Sequence, residues 1–336
     1  MKKGFLLRFC FAALVMVSLL GTVVFAKPAK RISITVAYHP HIVGAGTVLI
    51  AQEKGYFEDE NLDVQLVQFT SGPPELAAMA AGDIDIGYLG VGAHVFAAQG
   101  HCKLLVMDST DVSNMIIATK KSKITSLKGL YGKTIAIPKG TTADMIFGIA
   151  CKKAHLDVSK INVVSMDIAG AVAAFVADKI DAAAIWEPFV SEIKKIKGQN
   201  NVVQLLHSKE FVPKAVFPQS WVATPKFLEN NREATVRFMK AWIRANEYRY
   251  NHMDECIKIT AKYLQQDEAT TGVLAGGTNW LNTKTLKKMY SNGTALKWYG
   301  IEEQIFVDNK KLDQFVPPEN FVDPQYFKAA IKELGM

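Results

Sequence analysis

The chain has 336 residues, 49% of them hydrophobic and 21% charged, with 39 Lys and Arg against 32 Asp and Glu. That is the composition of a globular protein long enough for one or two domains with real cores, and it contains no low-complexity segment. The mild positive balance carries no basic face or stripe of the kind that marks a nucleic-acid partner.

The N-terminus opens with a short basic segment, Lys2, Lys3 and Arg8. Phe9 to Leu20 is apolar except for Ser18, and Val24-Phe25-Ala26 offers small residues where a signal peptidase reads them. Polar Lys27-Pro28-Ala29-Lys30 follows. This pattern predicts a secretory signal over residues 1–26, cleaved after Ala26, and a periplasmic location. An uncleaved anchor is the alternative, because the apolar run approaches bilayer length. No Cys directly follows a small-residue box, so lipid attachment is not expected. Without the leader's three basic side chains the net charge falls from +7 to +4. Cys102, Cys151 and Cys256 remain, odd in number and widely spaced. They exclude a disulfide framework, though not a single pair, and read most simply as small buried thiols. No Cys-x-x-Cys exists, so neither a zinc knuckle nor a thioredoxin-like site is supported.

The elements then follow in chain order. Ile32, Ile34, Val36 and Tyr38 alternate as a strand. A loop from His39 to Gly44 precedes a helix from Thr47 to Lys54, stopped by Gly55. Val64 to Phe69 is a strand, and Ser71-Gly72-Pro73-Pro74-Glu75 opens a helix that ends at Gly82. Ile84 to Tyr88 and Lys103 to Met107 are strands. The same grammar repeats: strand 134–138, helix 143–154, strand 161–166, helix 169–178, strand 180–186. Ala77-Ala78-Met79-Ala80-Ala81-Gly82-Asp83-Ile84-Asp85 matches Ala173-Ala174-Phe175-Val176-Ala177-Asp178-Lys179-Ile180-Asp181. Strands alternating with helices predict largely parallel sheets with helices on their faces.

Between the units lie two strand-like connections, Asn114 to Thr119 and Ser220 to Thr224. Beyond Pro225 the chain is helical over 227–251, 253–264, 283–292 and 326–334. Ala234, Phe238, Trp242 and Ala245 share one face. With no sheet of their own, these helices are expected to pack on the first unit. The expected architecture is α/β and two-lobed: residues 31–115 with 220–336 form lobe 1, and 116–219 form an inserted lobe 2. Two crossing strands imply a hinge and a cleft.

Several segments resemble a known family. They are Ala51-Gln52-Glu53-Lys54-Gly55-Tyr56-Phe57 with Asn61-Leu62-Asp63-Val64, Ser71-Gly72-Pro73, and Ala80-Ala81-Gly82-Asp83-Ile84-Asp85-Ile86-Gly87. Further on come Leu127-Lys128-Gly129-Leu130-Tyr131-Gly132-Lys133-Thr134-Ile135-Ala136, Ile180-Asp181-Ala182-Ala183-Ala184-Ile185-Trp186-Glu187-Pro188-Phe189 and Phe227-Leu228-Glu229-Asn230-Asn231. Together they resemble the periplasmic binding proteins of nitrate, alkanesulfonate and taurine importers (SsuA/THI5-like, NMT1-like), which share their fold with the thiamine-pyrimidine synthase group. The resemblance spans roughly residues 32–265 and is specific for the family, not for its ligand. It implies a type II periplasmic binding protein fold, with ligand between the facing lobe edges. It also implies a monomer that hands its ligand to an ABC permease and ATPase in the inner membrane.

Loops after successive strands should converge on that cleft. They carry His39, His41, Ser71, Gly72, Tyr88, Gly90, Thr110, Asp111, Thr141, Thr142, Asp167, Trp186 and Glu187. Several open helices, whose unpaired N–H groups suit a carboxylate, sulfonate or nitrate. Ser71, Thr141 and Thr142 either cap their helices or bind ligand; the resemblance favours contact. His39 and His41 suit hydrogen bonding better than zinc, which would need further ligands. Trp186 stacks on ligand or walls the cleft. Asp111 and Glu187 anchor a ligand ammonium or hold hinge backbone. No cofactor is called for. An enzyme on the same fold is the competing function, a pyrimidine synthase or a desulfinase, but the first cleft loops contain no Cys nucleophile. An exported sensory protein is a third reading.

Overall fold

Alternating apolar residues become strand β1 (Ile32–Tyr38) in a computed structural model that describes residues 30–336. The expected signal lies outside the described residues. After β1 come α1 (Ile42–Glu53), α2 (Tyr56–Asp59), β2 (Leu62–Gln68), α3 (Gly72–Ala81), β3 (Ile86–Gly90), α4 (Val95–Ala98) and β4 (Lys103–Asp111). The next stretch holds β5 (Asn114–Thr119), β6 (Thr134–Ile137), α5 (Thr142–Lys153), β7 (Asn162–Ser165), α6 (Ile168–Val176), β8 (Ala182–Trp186), α7 (Phe189–Lys197) and β9 (Val202–His207). The chain then runs through β10 (Pro218–Ala223), α8 (Pro225–Asn230), α9 (Arg232–Asn251), α10 (Met253–Leu264) and α11 (Glu268–Gly277). It finishes with β11 (Thr278–Trp280), α12 (Thr283–Ser291), α13 (Thr294–Asp308) and α14 (Gln325–Glu333).

Helix α1 starts five residues before the expected Thr47. The His41 ring accepts the Gly44 N–H and caps it, so the supposed loop is already a helix start. The long helix expected over 227–251 is two helices that meet at Asn231, which leaves the helical region at φ −131°, ψ 39°.

The strands form two sheets, ordered β2-β1-β3-β10-β4-β11 and β7-β6-β8-β5-β9. In each, the first three are the expected parallel unit, and the remaining pairings are antiparallel. The internal repeat extends to hydrogen bonds. Asp85 Oδ2 accepts the Thr35 N–H of β1 at 2.8 Å, and Asp181 Oδ2 accepts the Thr134 N–H of β6 at 2.9 Å. The Asp85 and Asp181 N–H groups donate back to the Thr35 and Thr134 carbonyls, at 2.9 Å each. In both units the recurring Ile-Asp thus ties the third strand's entry to the central strand.

Strands β4 and β9 run with the parallel strands, and β5 and β10 run against them. The chain therefore crosses between sheets at the carboxyl ends, through Val112-Ser113 and again between His207 and Pro218. Both expected strand-like connections exist; each belongs wholly to one sheet, and the crossing falls beside it.

The first core packs α9 onto α1 and α14, with Phe238 and Trp242 buried against Trp221 and Phe327. A buried ion pair, Arg249 Nη1 to Asp108 Oδ1 at 2.9 Å, lies within it, and Trp221 Nε1–H donates to Asp108 Oδ2 at 3.0 Å. Smaller cores cover the faces of the second sheet. Helix α13, which was not among the expected helices, touches both units. Its Tyr299 sits in the first core and its Phe306 in the core of the second sheet. Among the described residues no helix is long and apolar enough to cross a membrane.

Gly87 gives a direct test of how β3 is seated. A Cβ there would overlap Glu75 Oε1, which accepts the Tyr88 N–H, and would lie 2.9 Å from Met79 Sδ. Gly87→Ala should destabilise the protein by roughly 1–3 kcal/mol through overpacking. A urea midpoint unchanged from wild type would show that Glu75 is free to move aside.

Candidate ligand-binding site

The carboxyl ends of both sheets enclose a cavity of about 50 Å³, measured to the centre of a water-sized sphere. A space of this size suits a small solute. His39, His41, Ser71, Gly72, Gly90, Asp111 and Gln219 line it from the first-sheet side. Asn114, Thr141, Thr142, Trp186 and Glu187 line it from the second.

Two helix starts point at this cavity. Ser71 begins α3 in extended backbone, with no side-chain cap bond. Thr141 precedes α5 and donates its hydroxyl to the Pro138 carbonyl at 2.6 Å rather than capping. Thr142 Oγ1 accepts the Gly92 N–H at 3.3 Å, a bond between the two sheets' ends. The approach is close: a Cβ on Gly92 would collide with the Thr141 carbonyl, and one on Gly72 would lie 2.7 Å from the Ala93 Cβ. Ahead of α5, Gly140 takes φ +72°, a left-handed conformation that suits glycine. Asp144 steadies this turn, accepting from the Gly140 N–H, Lys139 and Lys311. Those contacts hold its carboxyl below the ordinary value although burial opposes them.

Both histidines are neutral. Burial pushes His39 down to about 3, and raises Glu75 well above the ordinary carboxyl value. The pair meets at 2.8 Å between His39 Nε2 and Glu75 Oε2. Since Glu75 Oε1 already accepts the Tyr88 N–H at 2.6 Å, the neutral arrangement has Glu75 Oε2–H donating to the imidazole. Burial, with His39 beside it, lowers His41 to about 3 as well. Its Nδ1 accepts from Gly44, which leaves the proton on Nε2.

Another part of the lining is acidic. Asp111 Oδ1 accepts the Ser113 N–H at 2.9 Å, and its Oδ2 accepts the Ser113 hydroxyl at 2.5 Å. Burial pushes Asp111 up to about 6 in spite of these bonds, and nearby Glu187 adds to the rise. Glu187 donates its N–H to the Ser113 carbonyl at 3.2 Å and accepts the Ser191 N–H at 2.9 Å. Trp186 stands edge-on to Phe189, with ring centroids 5.7 Å apart.

Three expected residues lie outside the lining. Tyr88 is fully buried behind it, edge-on to His39, and donates its hydroxyl to Gln219 at 3.2 Å. Thr110 bonds Asn279 at 3.2 Å. Asp167 caps α6 through the Gly170 N–H at 2.6 Å. Sequence reading missed Val43, Ala93, Ser113, Asn114, Gln219 and Leu274, which do line it. Ser113, Asn114 and Gln219 flank the two crossings, which the sheet pairing locates. Leu274 comes from α11, for which no sequence cue was found. The three cysteines are buried and unpaired, away from the cavity; burial pushes Cys102 up to about 12 and Cys151 and Cys256 to about 11.

Residues 44–256 match the NMT1/THI5-like family, and the chain belongs to that family. It is 32% identical over 302 residues to "Putative binding protein BAB2_1146" of Brucella abortus (strain 2308), covering 90% of this chain and 93% of that one. To the taurine-binding periplasmic protein of Escherichia coli (strain K12) it is 27% identical over 226 residues, 66% of this chain and 68% of that one. The alkanesulfonate-binding protein SsuA from Xanthomonas axonopodis pv. citri, bound to MOPS, superposes with a TM-score of 0.69 at 20% identity, over 89% and 99% of the two chains. The desulfurization enzyme DSZB superposes at 0.59 and 14% identity, over 90% and 100%. The fold is thus that of the periplasmic binding proteins, and an enzyme uses it too.

Asp111 makes the site pH-sensitive in a defined direction. Its folded value lies above the unfolded one, so between about 4 and 6 the folded state binds the extra proton. Stability from this group therefore falls as pH rises through that window. Wild type should lose on the order of 2 kcal/mol relative to Asp111→Asn between pH 4 and pH 7. Parallel chemical denaturation at both pH values checks it, and a difference that does not change with pH would mean Asp111 is ionised throughout.

Proposed function

We propose that this protein is the extracytoplasmic solute-binding component of an ABC importer. It captures a small anionic or zwitterionic solute of the sulfonate, taurine, nitrate or amino-acid-like kind and passes it to a permease and its ATPase. The observation that carries this reading is one small polar cavity built from the carboxyl ends of both sheets. Family membership and taurine- and sulfonate-binding relatives support it. So does the lining, which contains no cysteine to serve as a desulfinase-like nucleophile.

On this reading residues 31–115 with 220–336 form one lobe and 116–219 the other, hinged at Val112-Ser113 and at the return before Pro218. The secretory signal ends at Ala26, and the mature monomer works in the periplasm. The solute touches both lobes, so it favours the closed state and shifts the population toward it. His41 Nε2–H and the starts of α3 and α5 supply donors for an anionic group, and Trp186 walls the cavity.

A thermal-shift screen of amino acids, sulfonates, nitrate and carboxylates should find a stabilising solute, because a ligand that binds only the native state raises the melting temperature. Trp186→Ala combined with Thr141→Ala should then weaken that solute at least tenfold by calorimetry, while the melting temperature without solute stays near wild type. Unchanged affinity in the double variant would place the binding site elsewhere.

A further inference from the structure

The polar groups of the cavity are unevenly distributed, and the imbalance bears on what the solute carries. Asp111 and Glu187 are each 7% exposed, and their hydrogen-bond partners, Ser113 and Ser191, are neutral. Neither Lys nor Arg is among the lining residues. Both histidines are held neutral, and Lys139, near the start of α5, is engaged by Asp144 at 3.1 Å. The wall therefore holds two buried carboxyl groups with no counter-charge, an arrangement that folding disfavours once both are ionised unless a cation completes it.

A second observation points the same way. Asn114 is 3% exposed and lines the same wall, and its Oδ1 has no hydrogen-bond partner. The register of β5 against β8 sets Asn114 opposite Trp186, one residue from Glu187. Acceptors thus gather from the first crossing and from the turn after β8. The donors come from other elements, His41 and the starts of α3 and α5. Among the described residues no three His, Cys, Asp or Glu side chains are grouped to hold a metal ion, so the missing cation is better matched by a solute group.

We propose that the wall formed by Asp111, Asn114 and Glu187 binds a protonated primary amine, so that the solute is a short amino acid or aminosulfonate and not an amine-free anion. This rests on the solute-binding reading of the same cavity. The ammonium has three N–H donors, enough for one bond to each of the three side chains. The acidic end of the solute then faces the helix starts. An amine-free sulfonate or nitrate would leave the two carboxyl groups uncompensated beside a further negative charge.

Calorimetry on the full mature chain, with a chelator present, tests this with matched pairs: taurine against ethanesulfonate, β-alanine against propionate and glycine against acetate, with nitrate alongside. The tightest amine-bearing probe should bind at least thirtyfold more tightly than its amine-free partner. Glu187→Gln should weaken that probe at least tenfold and leave the amine-free partner no weaker, a split that a merely damaged fold would not give. Amine-free binding within threefold of its partner, or Glu187→Gln without effect on the amine, overturns the inference. Binding of amine-free probes alone overturns it too, yet leaves the importer reading standing. A chain that binds none of the probes counts against both.

Discussion

Gly92 lies against the peptide between Thr141 and Thr142 so closely that no side chain fits there, and the cavity depends on that approach. The Gly92 N–H meets the Thr142 hydroxyl, which joins the end of β3 to the start of α5. Gly90 serves the same contact, since a Cβ on it would lie 2.9 Å from Thr142 Oγ1. Without these two glycines the sheet ends would stand further apart. His41 and Ser71 on one side and Trp186 and Glu187 on the other would then no longer bound one space. Glycine matters here because backbone must touch backbone, not for turn geometry.

Behind this contact, a chain of neutral polar groups fixes the wall. Glu75 enters from α3 beneath β3, and only the bare Cα of Gly87 leaves room for it. Its two oxygens serve Tyr88 N–H and His39, so one buried carboxyl group sets the ring that lines the cavity. Burial keeps both partners uncharged, and the low dielectric that penalises the ions strengthens the hydrogen bonds between neutral groups. The acidic wall is built otherwise. Asp111 and Glu187 have neutral partners only, and their carboxyl groups lie close enough for one to raise the other. One wall is self-sufficient in charge and the other is not.

The repeat was the most legible feature of the sequence, and the structure shows why. Ile-Asp recurs because Asp85 and Asp181 each pair with the central strand of their unit, a bond that demands that residue at that place. Most strands and the cleft loops could be placed from alternation and helix starts. The start of helix α1 could not, because its cap is the His41 ring and not a hydroxyl or carboxylate. Thr110 and Asp167 lie outside the lining for different reasons: Thr110 is a paired residue of β4 that bonds Asn279, and Asp167 caps α6. Ser113, Asn114 and Gln219 lie where the chain changes sheet, and only the pairing order reveals that such residues face the cavity.

Helix α13 links the cavity to the rest of the molecule. Tyr299 anchors it in the first core, where its hydroxyl meets Ser220 at 2.9 Å, and His94 packs edge-on against its ring. Glu302 meets His94 at 3.0 Å with both side chains fully buried, and Phe306 enters the core of the second sheet. Beyond the helix end, Lys311 reaches Asp144 at 2.6 Å. A change in the angle between the sheets therefore has to move α13 in one of its two seats. The second seat ends on Asp144, the residue that also holds the Gly140 turn. That turn, which carries Thr141 and Thr142 into the cavity, is therefore tied through Asp144 and Lys311 to the far end of α13.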